Sequence, residues 1–102
     1  MRLFRYNLRF NAKCANIHFE LADEYENFFN DPDSARKEYE KALQFDPSKT
    51  DTHLRLGNLL LRAYDDHEAA RKCVEDALKI NPENSSAHVD LGEILYIYFE
   101  VK

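Results

Sequence analysis

Apolar positions recur along this chain with the period of an α-helix and in a unit of 35 residues. The phrases HFELADEY, HLRLGNLL and HVDLGEIL begin at His18, His53 and His88, which are 35 residues apart. Within each phrase the shared positions are spaced i, i+3, i+4 and i+7, which is one face of a helix. SARKEYEKALQF and AARKCVEDALKI have the same period and the same 35-residue offset. The pattern therefore predicts two kinds of helix alternating along the chain.

The ends of these helices are marked by capping residues and prolines. Acidic and hydroxyl residues in matching places are the expected N-caps: Asp31, Asp66, Thr50 and Ser85. Two dipeptides end the second helix of a unit, Asp46-Pro47 and Asn81-Pro82. The signals predict helices over residues 2–11, 16–28, 32–45, 51–63, 67–80 and 86–100.

Small residues occupy fixed slots of the unit. Ala22, Gly57 and Gly92 share one slot, and Ala35 and Ala70 share another. Glycine inside a helix costs about 1 kcal/mol relative to alanine, so its repeated use needs a compensating contact. We expect a neighbouring helix to approach closely at these slots.

The phrase, followed by Ala35-x-x-x-Tyr39 and then Pro47, resembles the tetratricopeptide repeat. That family's pattern is Trp-x-x-Leu-Gly-x-x-Tyr, then Ala-x-x-x-Phe, then Pro, over 34 residues. Here the period is one residue longer, with the extra residue expected near FFND and AYDD, and histidine replaces the first aromatic. ARKEYEKAL also resembles half-a-TPR helices of RNA-processing proteins, but the glycines favour the tetratricopeptide repeat.

The resemblance implies an all-α fold, a short right-handed solenoid of antiparallel helix pairs. Residues 1–102 would form one repeat domain. Its expected divisions are a partial repeat over 1–14, full repeats over 15–49 and 50–84, and a partial repeat over 85–102.

Composition and charge narrow the class of partner. Only two glycines and three prolines, with 32% charged residues, favour helices with solvated faces. Residues 1–19 carry four cations and no acid, which leaves a formal charge of −9 on the remainder. This acidic body argues against nucleic acid as a partner. The basic start is similar to a mitochondrial transit peptide, but a cytoplasmic location is the preferred expectation.

Neither a disulfide nor a membrane span is expected. The two cysteines, Cys14 and Cys73, are far apart and form no CxxC motif, which indicates a reducing compartment. Apolar runs fall short of the roughly 18 residues that cross a bilayer.

The three phrase histidines are poor candidates for a metal site. Equivalent helices of successive repeats lie on the order of 10 Å apart, whereas zinc ligands lie about 2 Å from one ion. We therefore expect His18, His53 and His88 to pack between paired helices. A catalytic constellation or phosphate-binding glycine loop is also absent from the sequence, so we expect neither cofactor nor catalysis.

The resemblance implies a concave groove formed by the first helix of each repeat. The predicted peptide-binding residues are Phe19, Asp23, Glu26, Leu54, Asn58, Val89 and Glu93. Family members that hold a C-terminal carboxylate use Lys, Arg and Asn there, and only Asn58 matches. An acidic groove favours a partner segment that is apolar or basic.

Both ends of the chain are rich in apolar residues, and these predict a terminal interface formed by Phe4, Leu8, Tyr96 and Phe99. The expected function is a non-catalytic protein-interaction module or scaffold. Two alternatives are a repeat segment of a larger enzyme that presents its substrate, and a module that self-associates through its ends.

Overall fold

Most of the chain that the structure describes is helical. The computed structural model describes the backbone of residues 2–96 and the side chains of residues 9–96. The helices are α1 (Arg2–Asn27), α2 (Pro32–Phe45), α3 (Thr50–Tyr64), α4 (His67–Ile80) and α5 (Ser85–Ile94). The predicted all-α fold is confirmed, and the bounds of α2 and α4 are those that the sequence predicted.

The chain divides into two units, Met1–Pro47 and Ser48–Lys102. In the first unit α1 pairs with α2, and in the second α4 contacts both α3 and α5. The first unit buries Ala15, Ala22, Ala35, Tyr39 and Ala42. The second unit has a core cluster of buried residues on α4 and α5, which consists of Ala70, Val74, Ala77, Ala87 and Ile94. Partly buried leucines pack around this cluster.

The first helix differs from the sequence prediction. Residues 2–28 were expected to form two helices with a turn between them, but α1 continues from Arg2 to Asn27, so that expectation is wrong. The physical reason is the residue at the expected turn: Ala12 stands where later repeats have Pro47 and Pro82. Alanine favours helix, whereas proline ends one. The repeat boundaries stay predictions, and the expected last helix lies partly outside the described residues.

The expected aspartate caps are confirmed. Asp31 accepts a hydrogen bond from the backbone N–H of Ser34 at 3.2 Å, and Asp66 accepts one from Ala69 at 3.1 Å. The Ser34 hydroxyl also donates to Asp31, and these bonds lower the pKa of the Asp31 carboxyl. Each cap satisfies an N–H group that the helix itself leaves unpaired.

The two expected hydroxyl caps are wrong by one residue. Thr50 and Ser85 are the first residues of α3 and α5, and the N-caps are Lys49 and Asn84. Asn84 accepts from the backbone N–H of Ala87 at 3.0 Å, so its amide does the capping one position earlier. The side chain of Lys49 makes no capping bond.

The turns inside the two helix pairs are alike and accommodate the extra residue of the period. Asn30 and Asp65, 35 residues apart, have left-handed backbones with φ of 50° and 54°. Asparagine and aspartate tolerate this conformation better than other non-glycine residues. The next backbone N–H reaches back six residues to a helix carbonyl, one more than in the usual closing bond. These bonds are Asp31 to Tyr25 at 2.8 Å and Asp66 to Leu60 at 3.1 Å.

The predicted close contact between helices is present at Gly57 and absent at Gly92 among the described residues. A Cβ at Gly57 would lie 3.0 Å from the Cβ of Cys73 and 3.2 Å from the carbonyl oxygen of Ala70. The helices α3 and α4 therefore touch nearly backbone to backbone. At Gly92 a Cβ would meet nothing within 4 Å in the described part of the chain. The expectation is wrong there because no described helix packs on that side of α5.

This pair of equivalent glycines predicts opposite outcomes for one substitution. Gly57→Leu should lower the free energy of unfolding by about 1–3 kcal/mol, because the side chain overpacks the α3–α4 contact. Gly92→Leu should change it by less than about 0.5 kcal/mol or raise it, since leucine favours helix. Thermal and urea unfolding followed by circular dichroism measures both. Equal effects of the two variants would contradict the helix pairing described here.

Candidate functional site

A small notch opens between α3 and α5 in the second unit. Its floor is apolar and its rim is polar, and its volume is about 50 Å³. The lining residues are Gly57, Asn58, Leu61, Val74, Asp90, Glu93 and Ile94. Pockets that enclose drug-sized molecules are about 300–1,000 Å³. The notch therefore accommodates the end of one side chain rather than a whole small molecule.

The helices place the rim groups by their regular spacing. Asp90 and Glu93 are three residues apart on α5, so their side chains lie one turn apart on the same face. Asn58 follows the close-contact residue Gly57 on α3. Val74 and Ile94, which are 2% and 4% exposed, fix the floor as members of the α4–α5 core cluster. The floor of the notch thus belongs to the buried core of the unit.

The rim carries negative charge that no cation among the described residues compensates. Neither Asp90 nor Glu93 makes a hydrogen bond or ion pair with another described residue of the chain. Burial, and then the neighbouring charge of Glu93, raise the pKa of the Asp90 carboxyl above its usual value. Both effects disfavour the charged carboxylate, so a cation placed in the notch would stabilise it.

Two predicted binding residues come together at the notch, and two lie elsewhere in the second unit. Asn58 and Glu93 are both exposed on the rim. Val89 is 57% exposed and lines an adjoining depression together with Asp90 and two serines. Leu54 is half-buried and packs against the α4–α5 core cluster.

The three predicted binding residues of the first unit take part in the contacts of α1. The ring of Phe19 packs edge-on against Tyr39, with centroids 5.9 Å apart. The Tyr39 hydroxyl donates to the Glu26 carboxylate at 2.9 Å, and the Asn27 amide donates to Asp23 at 2.7 Å. Phe19 and Glu26 therefore also join α1 to α2.

The predicted terminal interface falls mostly outside the described side chains. Phe4, Leu8 and Phe99 belong to that part of the chain. Tyr96 is described and is 67% exposed. The terminal interface stays a prediction.

The histidines have different surroundings. His18 stacks on Phe45, with centroids 5.5 Å apart and rings inclined by 5°, and its Nδ1–H donates to Glu38 at 2.6 Å. The predicted packing role is confirmed for His18. It is wrong for His88, which is exposed and donates through Nε2–H to the carbonyl of Pro82 at 2.7 Å. His88 lacks a helix to pack against because α5 has no described partner on that side.

Neither a metal-ligand cluster nor a membrane-spanning helix is found among the described residues. They contain no group of three or more His, Cys, Asp or Glu side chains that could hold a metal ion. None of their helices has the length and apolar character needed to cross a bilayer.

Asp90 is the rim residue that sequence analysis missed. It does not share the repeat slot of Asn58 and Glu93, and its equivalents in the other units are Glu20 and Arg55. The available signal was its spacing of three residues from Glu93, which places two acids on one face of a helix. Partial burial, which raises its pKa, could be found only from the structure.

The paired helices, the 35-residue period and the close contacts at small residues define a helical repeat protein. The family model of the tetratricopeptide repeat matches residues 29–88, which is more than half of the chain. The chain belongs to the tetratricopeptide repeat family. Repeats of this family generally mediate protein–protein interaction and are generally non-catalytic. A comparison with curated proteins found no match.

The raised pKa of Asp90 predicts a pH-dependent effect on stability. The charged carboxylate is disfavoured in the folded state, so Asp90→Asn should raise the Tm slightly at neutral pH. The advantage should shrink as the pH falls through the raised pKa, and vanish below the ordinary value of 3.8, where the parent is also uncharged. Thermal melts between pH 3 and 7 measure this, with Glu83→Gln as the control at an exposed acid. A neutral-pH Tm below that of the parent would show that the Asp90 charge is stabilising.

Proposed function

We propose that this chain is a non-catalytic protein-interaction module whose second unit binds a basic and apolar segment of a partner protein. The observation that carries the proposal is the notch rim, where two carboxylates that pair with no cation in the described part of the chain stand over an apolar floor. Family membership supports the general part, since these repeats generally bind proteins. The chemistry of the notch supports the choice of ligand.

A lysine or arginine side chain matches the notch in each of its parts. The aliphatic stem of such a residue packs on apolar surface while its charged end stays near polar groups. Here Leu61 and Ile94 would contact the stem, and Asp90 and Glu93 would accept hydrogen bonds from the charged end. Charge-assisted hydrogen bonds are about twice as strong as neutral ones. The Asn58 amide adds a neutral acceptor on the opposite rim.

Apolar residues beside the basic one would use the neighbouring surface of the same unit. Val89 is more than half exposed next to Asp90, so a large apolar side chain of the partner can cover it. Leu54 shares the repeat slot of Val89 and offers a partly buried edge. In the first unit, Phe19 occupies this same slot, and Asp23 occupies that of Asn58 and Glu93. We therefore retain Phe19, Asp23 and Glu26 as proposed contacts of the same chemical character.

Ligands with the opposite charge should bind poorly. A C-terminal carboxylate near Asp90 and Glu93 would add a third negative charge to a rim that already disfavours ionisation. The formal charge of −5 likewise favours a basic protein segment over nucleic acid.

We propose the cytoplasm as the compartment, with the mitochondrion as the less favoured alternative. A repeat segment that presents substrate to an enzyme would use the same notch.

Isothermal calorimetry with two synthetic peptides tests the proposal. A peptide with alternating lysine and leucine should bind saturably, and its glutamate counterpart should not. Asp90→Asn/Glu93→Gln should weaken binding of the lysine peptide by about tenfold, because each lost charge pair contributes up to about 1 kcal/mol. Added salt should weaken the parent complex as well.

The matched control for this experiment is Glu83→Gln, which removes one charge from an exposed acid outside the notch. It should leave the affinity of the lysine peptide nearly unchanged. Equal affinities for the two peptides, or an equal loss on Glu83→Gln, would show that the notch is not the binding site. If the glutamate peptide bound tightly and Asn58→Ala abolished that binding, the notch would prefer anionic ligands, which contradicts the proposal.

A further inference from the structure

The helix α1 carries a second apolar stripe that the notch proposal does not use. Its members are spaced four, three and four residues apart: Phe10, Cys14, Ile17 and Leu21. Phe10, Ile17 and Leu21 are 60%, 56% and 39% exposed. Apolar residues at alternating spacings of three and four form the seam along which two helices pair as a coiled coil. We call these four residues the α1 seam.

The seam lies on a different side of α1 from the contact with α2. The α2 side is marked by His18, which stacks on Phe45, and by Phe19, which packs on Tyr39. Successive residues turn by about 100° around a helix, so Phe10 and Ile17 point well away from both. The helix has 26 residues and is about 39 Å long, which is enough for several layers of side-chain contact.

We propose that the α1 seam pairs with the α1 seam of a second copy of this chain, with the two helices antiparallel. In this register Phe10 lies opposite Leu21 of the second copy, and Cys14 lies opposite Ile17. The same pairs recur in reverse order by the two-fold symmetry of the dimer. Four consecutive apolar layers are therefore formed by the exposed residues Phe10, Ile17 and Leu21 together with the partly buried Cys14.

The charges beside the seam select the antiparallel direction. Lys13 and Glu20 are exposed and flank the seam on the same side, seven residues apart. The antiparallel register places Lys13 beside Glu20 of the second copy, and it does so twice. A parallel pair would instead place Glu24 next to its own equivalent, at the position that continues the seam beyond Leu21. Two carboxylates facing each other there would be destabilising.

The seam belongs to the first unit and the notch to the second, so this proposal does not depend on the proposed function. It also differs from the terminal interface expected from the sequence, because none of its residues belongs to the set Phe4, Leu8, Tyr96 and Phe99. The proposed partner is specified by charge and spacing rather than by apolar exposure alone.

Sedimentation velocity over a concentration series tests the pairing with the whole chain. The parent should shift from monomer towards dimer as the concentration rises. Ile17→Glu should remain monomeric, with its helical circular dichroism retained. Val89→Glu is the matched control, because Val89 is 57% exposed and lies in the second unit. It should dimerise like the parent.

Charge exchange tests the direction, using exposed residues whose replacement leaves the fold intact. Lys13→Glu alone and Glu20→Lys alone should each weaken self-association by about tenfold, because both contacts become repulsive. An equimolar mixture of these two variants should form heterodimers, and the Lys13→Glu/Glu20→Lys double variant should regain the parental affinity.

Two results would overturn the proposal. A parent that stays monomeric at every concentration would exclude the pairing of the seam with a second copy. A dimer that is lost in Ile17→Glu but is indifferent to the charge exchanges would exclude the antiparallel register.

Discussion

The structure of the second unit depends on the near contact of the α3 and α4 backbones at Gly57. A side chain there would have its Cβ 3.0 Å from that of Cys73, so any residue larger than glycine would push the two helices slightly apart. The close approach offsets the roughly 1 kcal/mol that glycine costs in a helix. It also brings the large residues on either side within contact, so that Leu56, Leu59 and Leu60 are all at least 94% buried. The absence of a Cβ at Gly57 therefore determines how closely α3 and α4 approach each other.

The same contact connects the fold to the proposed site. Gly57 belongs to the floor of the notch, and Asn58 beside it reaches the rim. Because α4 also packs against α5, its position determines where Asp90 and Glu93 stand relative to α3. A module built in this way can keep its packing while the rim residues vary. No described cation compensates the charge of the rim. A binding site can retain such a local cost to stability, and a bound ligand of opposite charge relieves it.

Much of the fold could be predicted from the sequence because its signals are local. Asp31 and Asp66 capped their helices as expected, since a short acceptor side chain before a helix has one strongly favoured use. The continuity of α1 was missed because the repeat pattern suggested a turn, while Ala12 provides nothing that would break a helix. Repeat symmetry is therefore a weaker guide than the residue that stands at the turn.

The site was less predictable because it depends on contacts between residues distant in sequence. Asn58 and Glu93 were predicted from the resemblance to the tetratricopeptide repeat, and the structure brings both to one notch. Asp90 lies outside their repeat slot, and its partial burial results from packing around α5 rather than from any motif. Gly57 and Gly92 occupy equivalent slots, but α4 packs against Gly57 and no described residue packs against Gly92. The repeat pattern therefore predicts which residues are equivalent, but it does not predict which residues surround each of them.

An engineered disulfide tests the central contact most directly. In a Cys14→Ser background, Gly57→Cys places a thiol opposite Cys73, where a disulfide needs Cβ atoms about 3.5–4.5 Å apart and a small outward shift suffices. Mild oxidation should link the tryptic fragments 56–62 and 73–79 within one chain, as measured by mass spectrometry. Gly92→Cys in the same background should not link to Cys73. Failure of the residue 57 variant to crosslink, or equal crosslinking from residue 92, would contradict the close pairing of α3 and α4.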